Sequence, residues 1–282
     1  MDTIAAFPRL ARPLPNLAAW LAHFRTAPIP VLPGTAAALR ELAEHQDAVD
    51  AHLLAETIGA DPLMTLKLLA HVGSRSRRET DVETVVGALV LIGIGPFFRQ
   101  FGELVTIDEA LADAPESAAA RAGLDAVLAR AHRAARFALG FAAHRLDPDA
   151  AVIHEAALLH SFAELLLWCH APALALQIAR RQRGDPTLRS ALAQQAVLGI
   201  ELADLQQSLM RTWRLPELLI RIADEHHTEH ATVRNVLLAV RLARHTANGW
   251  DNAALPDDIA DIAALLNLSH GAALQLVRDV EH

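Results

Sequence analysis

Apolar positions along the chain recur at three- and four-residue steps, and no strand-length run alternates apolar with polar residues. Leu39, Leu42 and Ala43 share one helical face, and Leu53, Leu54 and Ile58 a second. Leu63, Leu66, Leu69 and Ala70 form a third, expected to lie in the core. The Asp61-Pro62 pair ahead of it is a start signal: Asp can accept a bond from a free first-turn N–H, and Pro at the first helical position gives up no hydrogen bond. Gly73-Ser74-Arg75-Ser76-Arg77-Arg78 should break this helix. Thr80-Asp81-Val82-Glu83 reads as a capping box for the next, which runs through Leu91 and Ile92 and stops at Gly93. A long helix is expected over 117–145 and another over 150–169 after Asp147-Pro148-Asp149. Pro172, Pro186 and Pro216 read as first-turn prolines, and the rest as one helix over 231–248 and two shorter ones after Pro256 and Ser269. Pro8, Pro13, Pro15, Pro28 and Pro30 confine the start of the chain to a short helix over 16–25. The chain shows no repeat of solenoid length.

Composition sharpens this pattern. The chain has 282 residues, of which 52% are hydrophobic but only 4% aromatic, with no Tyr. Ala and Leu dominate, and they are among the strongest helix formers. The fold is therefore expected to be all-α, with an N-terminal segment over 1–27 and two packed helical lobes over 28–109 and 117–282. A net charge of −8, from 25 Lys+Arg and 33 Asp+Glu, weighs against general nucleic-acid binding. Cys169, the single Cys, excludes an intramolecular disulfide framework and reads as a small core residue. The uncharged run over 85–98 contains Gly87, Gly93, Gly95 and Pro96 and falls short of the roughly 18 residues needed to span a bilayer. The beginning lacks a signal-peptide pattern, so a soluble cytoplasmic protein with no membrane partner is expected.

Fifteen His raise the question of a metal site. The candidates are His132, His154, His160 and the pair His226-His227. His154 and His160 are separated by about 240° around a helix and face differently, whereas His160 and Glu164 can share a face. Adjacent His226 and His227 point apart. Ser161 follows His160 directly, about 100° around the helix, and the chain has neither an HExxH pair nor a G-x-S-x-G elbow. Gly93-Ile94-Gly95-Pro96 reads as a helix stop and turn. Arg75, Arg77 and Arg78 form the concentrated positive patch, read as a solvated loop ahead of an anion-binding or phosphate-contact loop, and as a hypothetical contact for an acidic partner. Arg180, Arg181 and Arg183 sit at a helix end, where the dipole favours them. Trp168, Trp213 and Trp250 read as core anchors.

Taken in order, these segments resemble a bacterial family, the HDOD (HD-related output domain) proteins. Pro30-Val31-Leu32-Pro33, the stretch from His52 to Ile58, and Asp61-Pro62-Leu63-Met64-Thr65-Leu66 are similar to its opening helices. The stretch over 81–93 resembles its next helix and stop. Glu155-Ala156-Ala157-Leu158-Leu159-His160-Ser161 is similar to the helix that carries the L-L-H-D signature in related hydrolases. Leu198-Gly199, Trp213-Arg214-Leu215-Pro216 and the stretch from Ile222 to His227 resemble the closing helices. The resemblance runs from about Pro28 onward. It implies an HD-like helical scaffold over 28–282, with His132 at the first ligand position and His160 at the His of the His-Asp pair. Ser161 stands where the Asp should be, Ile200-Glu201-Leu202 follows Gly199 where another His is common, and Gly73-Ser74 replaces the common N-S. The resemblance thus implies a dismantled metal centre, with His132, His160 and Ser161 as vestigial positions, no cofactor and no catalytic residue.

Three functions follow. The leading one is a non-catalytic signalling protein acting through unidentified partner proteins, as a monomer or a homodimer. The runner-up is a metal-dependent phosphohydrolase or phosphodiesterase using His132, His160, and Glu164 or His226. The third is a nucleotide sensor whose ligand fills the cavity among His132, His160, Glu164 and His226.

Overall fold

The computed structural model describes residues 7–75, 83–185, 187–222 and 230–281. Among them are seventeen α-helices, one short 3₁₀ turn and no strand, so the chain is all-α. The helices are α1 (Leu17–Thr26), α2 (Pro33–Glu44), α3 (Ala51–Gly59), α4 (Pro62–Arg75), α5 (Val85–Ile92), α6 (Ile94–Phe101), α7 (Ile107–Leu111) and α8 (Ser117–His144). They continue as α9 (Ala150–Leu159), α10 (Phe162–His170), α11 (Pro172–Gly184), α12 (Ser190–Leu198), α13 (Leu202–Thr212), α14 (Glu217–Ile222), α15 (Ala231–His245), α16 (Leu255–Leu266) and α17 (His270–Glu281).

Several starts carry their chemical cause. The Asn16 side chain accepts the Ala19 N–H, Asp50 accepts that of Leu53, and Thr106 and Glu109 close a capping box on α7. Each satisfies an N–H that has no partner within its own helix. The capping residues Thr80 and Asp81 lie outside the described residues, as does Pro186; the helix after it, α12, begins only at Ser190. Pro216 sits one place ahead of α14, its carbonyl accepting the Ile220 N–H. Gly93 does end α5, with φ +82, but α6 begins at the next residue, so the Gly93-to-Pro96 stretch is a stop and restart rather than a turn.

The helix expected over 150–169 is two helices. The His160 N–H bonds to the Ala157 carbonyl, a tightened final turn that closes α9. The Gln206 side chain then accepts the Ala163 N–H in the first turn of α10. The stretch Ala150–His170 is long and apolar enough to cross a membrane by composition, with a mean hydropathy of 1.4, yet 67% of it is buried inside the protein. It is core material here.

Two compact units emerge, neither continuous in sequence as the expected lobes were drawn. The first comprises Met1–Thr80, Val85–Val127 and Phe162–Arg214; the second comprises Asp81–Thr84, Leu128–Ser161 and Leu215–His282. In the first, α4 packs against α3, α5 and α10. Leu63, Leu66, Leu69 and Ala70 are buried, and so are Met64, Thr65 and Leu68. The expectation of one apolar face was too narrow, since α4 is covered around most of its circumference, as a central helix must be. The helix also runs on through Gly73 to Arg75 instead of breaking there. A Cβ on Gly73 would lie 2.3 Å from the carbonyl oxygens of Trp213 and Arg214, so the glycine is what lets the backbones approach.

A second joint of this unit is the His170 imidazole, which has no exposed surface. Its Nδ1 lies 3.1 Å from the Pro8 carbonyl oxygen and its Nε2 2.9 Å from that of Pro28, while the Leu10 N–H donates to the His170 carbonyl. The rings of Phe7, His23 and Phe24 pack around it. The proline-rich start of the chain is thereby fastened to α10.

In the second unit, α9 packs on α14 and α15, α15 on α16, and α16 on α17. Arg133 on α8 donates to the Thr246 carbonyl at 2.7 Å and to its hydroxyl at 2.8 Å, and pairs with Glu281. The buried Asp258 carboxylate receives Arg241 Nε at 2.7 Å and His245 Nδ1 at 2.6 Å, joining α15 to α16. Trp250 is half-buried rather than a core anchor, with the Arg278 guanidinium stacked 3.9 Å over its ring, whereas Trp168 and Trp213 are buried as expected.

Two predictions test this core. Leu66→Ala should lower the unfolding free energy by about 2–5 kcal/mol in denaturant titration, the range for truncating a fully buried Leu. For His170, burial holds the pKa down at about 4 against 6.5 when unfolded, although the two carbonyls favour the charged ring. The folded state thus resists protonation, so stability is complete above pH 6.5 and is lost as pH falls toward 4. The full loss is about 3 kcal/mol at 1.36 kcal/mol per pKa unit. Urea midpoints across that range should fall in the native protein and fall less in His170→Gln.

Candidate functional site

The second unit holds three of the histidines singled out in the sequence. His132 lies on α8 and His154 on α9, both half-buried, and His160 closes α9. His132 and His154 are near enough to repel when charged: burial first, and then the neighbouring His132, hold the His154 pKa below the usual imidazole value. His160 and Ser161 occupy the break between α9 and α10, both half-buried, because the chain must leave one helix and start another there. The sequence pattern, read as one continuous helix, places His160 one turn from Glu164. The break removes that helical register. Glu164 lies in the first turn of α10, in the first unit.

Among the described residues, no group of three His, Cys, Asp or Glu side chains is brought together to hold a metal ion. His226 and His227, named as further ligand candidates, lie outside the described residues, and so do Arg77 and Arg78 of the basic patch. Arg75 is exposed at the last residue of α4. Arg180 pairs with Glu116, and Arg181 and Arg183 lie in the last turn of α11, where the carbonyl end of the helix attracts them.

Sequence reasoning missed the polar residues that the second unit buries. Asn235 on α15 is fully buried, and neither its side-chain nitrogen nor its oxygen has a hydrogen-bond partner. Asp258 carries two basic neighbours spaced four apart on α15, a pattern readable only once α15 and α16 are known to pack. In the first unit, Cys169 is wholly buried, and burial pushes its thiol far above the ordinary range. The thiolate is the nucleophile, so this side chain is inert as folded. A thiol reagent such as 5,5′-dithiobis(2-nitrobenzoate) should leave Cys169 unmodified in the native protein and label one equivalent in denaturant.

With this fold, the chain is similar to solved all-helical proteins. One is the MmoQ response regulator from Methylococcus capsulatus, with a TM-score of 0.65 and 21% identity, covering 89% of this chain and 98% of that one. Another is a virulence factor from Campylobacter jejuni, with a TM-score of 0.63 and 18% identity, covering 94% of this chain and 98% of that one. No curated protein matches the chain in sequence. The class is thus a helical domain with histidines at and beside the junction of two consecutive helices. The HDOD domain model matches residues 29–229, and the chain belongs to the HDOD family.

Proposed function

We propose that this HDOD protein is a non-catalytic regulator that works in the cytoplasm through contact with partner proteins, using an HD scaffold whose metal centre has been dismantled. The observation that carries the reading is the His160-Ser161 junction. Ser161 takes the position of the acidic member of the His-Asp pair, and a neutral hydroxyl is a far weaker ligand than a carboxylate for a divalent ion. A metal-activated water needs a first shell strong enough to lower its pKa to about 7. His132 and His154 supply imidazoles alone, and the lowered His154 pKa is accounted for by burial and by the neighbouring ring. The reading agrees with the description of the fold neighbour MmoQ as a response regulator. The partner surface we assign is the basic stretch Arg75, Arg77 and Arg78, which suits an acidic partner.

The purified protein should hold well under one equivalent of Mn, Fe, Zn or Ni after dialysis, by elemental analysis. It should not hydrolyse bis-p-nitrophenyl phosphate or a cyclic dinucleotide. Turnover that His160→Ala abolishes would overturn the reading in favour of a metal-dependent phosphodiesterase. A partner recovered by affinity capture should dissociate with added salt, since exposed charges are screened beyond about 8 Å at physiological ionic strength. The Arg75/Arg77/Arg78→Ala triple variant should bind it more weakly, and unchanged binding would reject the basic stretch as the contact.

A further inference from the structure

A groove of about 510 Å³ opens in the first unit among α4, α5 and α6. Val72, Ile92 and Pro96 form its apolar surface, and Arg75, Arg99 and His71 its polar one. Among the described residues no carboxylate lines it, in a chain whose net charge is −8. Elsewhere Arg121, Arg133, Arg145, Arg180 and Arg241 each bridge a carboxylate. Arg75 and Arg99 bridge none among the described residues, and both face this one groove. The side of the groove formed by α5 is unusually apolar for an exposed surface: Leu91, which lines it, is 51% exposed and the adjacent Val90 70%.

The groove is open to solvent along Arg75, Leu91 and Arg99, and its size admits a small ligand. Its volume lies within the roughly 300–1,000 Å³ of ligand pockets, and such pockets combine an apolar lining with few polar groups. A guanidinium is a planar fork that meets phosphate oxygens two at a time. Arg99 is laid back along its own helix, with Nη1 3.5 Å from where a Cβ on Gly95 would stand. The His71 ring meets the Phe101 ring edge-on at 5.2 Å, which limits its rotation. Burial and then the Arg75 charge hold the His71 pKa below the usual imidazole value, as expected of a cationic cluster awaiting an anion.

We propose that this groove binds a small phosphate monoester with an apolar body, the phosphate held between Arg75 and Arg99 and the body against Val72, Ile92 and Pro96. Such a ligand would provide an input that does not use the His132–His160 region, and it would compete with an acidic partner for Arg75. The site stands or falls apart from the regulatory reading, because the experiment uses the purified chain alone and measures neither turnover nor partner capture.

The probe is phenyl phosphate, followed by calorimetry and by the His71 ring resonances, with inorganic phosphate and phenol as the two halves of the ligand. Saturable one-to-one binding is expected, with a rise in the His71 pKa. Each half alone should bind at least about tenfold more weakly than the whole, and Arg75→Ala and Arg99→Ala should each cost about tenfold or more in affinity. Both residues are exposed, so the variants should fold, which their unfolding midpoints will verify. Arg183→Ala, an exposed arginine at the end of α11, should leave binding unchanged. Absence of saturable binding, binding that survives both groove variants, or inorganic phosphate binding as tightly as phenyl phosphate would each overturn the proposal.

Discussion

Asp61 is a carboxylate with no exposed surface, and the order of the first unit is organised around it. One oxygen accepts the N–H groups of Leu63 and Met64 at 2.8 and 3.1 Å, starting α4. The other accepts the Leu32 N–H at 2.7 Å, just ahead of α2, and the Thr35 hydroxyl adds a further bond. Burial pushes its pKa up while these bonds pull it down, and burial prevails. Lys67 on the same helix donates to the Ile29 carbonyl at 2.8 Å, and burial in turn lowers the Lys67 pKa. The segment 29–32 is therefore held by a buried acid just ahead of α4 and a half-buried base within it. Its far side is paired by the Val31–Thr106 bridge, where the Ile107 N–H donates to Val31 and the Val31 N–H to Val105. A buried charge with several donors is costly to strand, since removing its partners leaves the full desolvation penalty behind.

The rest of the first unit extends this arrangement with close backbone approach. Gly73 admits the 213–214 backbone against α4, and Gly123 leaves the space that the Trp168 ring fills, a Cβ there lying 2.2 Å from the ring. Trp20 donates its indole N–H to the Leu198 carbonyl, tying α1 to the end of α12. The second unit also has a close approach, at Gly140, where a Cβ would lie 2.6 Å from the Val280 side chain, and it adds ion pairs through Arg133 and the Arg241–Asp258–His245 cluster. Both devices join helices whose apolar faces would otherwise leave register undetermined.

In our reading, function is carried by different parts of the chain from those that carry stability. The break between α9 and α10 leaves His160 and Ser161 half-exposed, flanked on both sides by helices that are almost wholly buried. The HDOD domain match spans this junction, and in our reading the hydroxyl beside the histidine is what separates the chain from a phosphohydrolase. The cationic groove lies among α4, α5 and α6, where α5 leaves apolar residues in water at some cost in hydrophobic free energy.

The helical class, most helix starts and the burial of α4 were legible in the sequence, because capping chemistry and three-to-four spacing act over a single turn. Asp61 announces its helix by a side chain that reaches only two or three residues. The family resemblance was legible too, since it rests on the order of such local elements. The break at His160 was not, because α10 draws the partner for its Ala163 N–H from Gln206, far along the chain. The roles of His170, Gly73, Asp258 and the Arg75–Arg99 groove were equally hidden. Each depends on which helices meet, and a buried hydrogen bond, a close backbone approach or a shared groove exists only after packing has brought distant residues together.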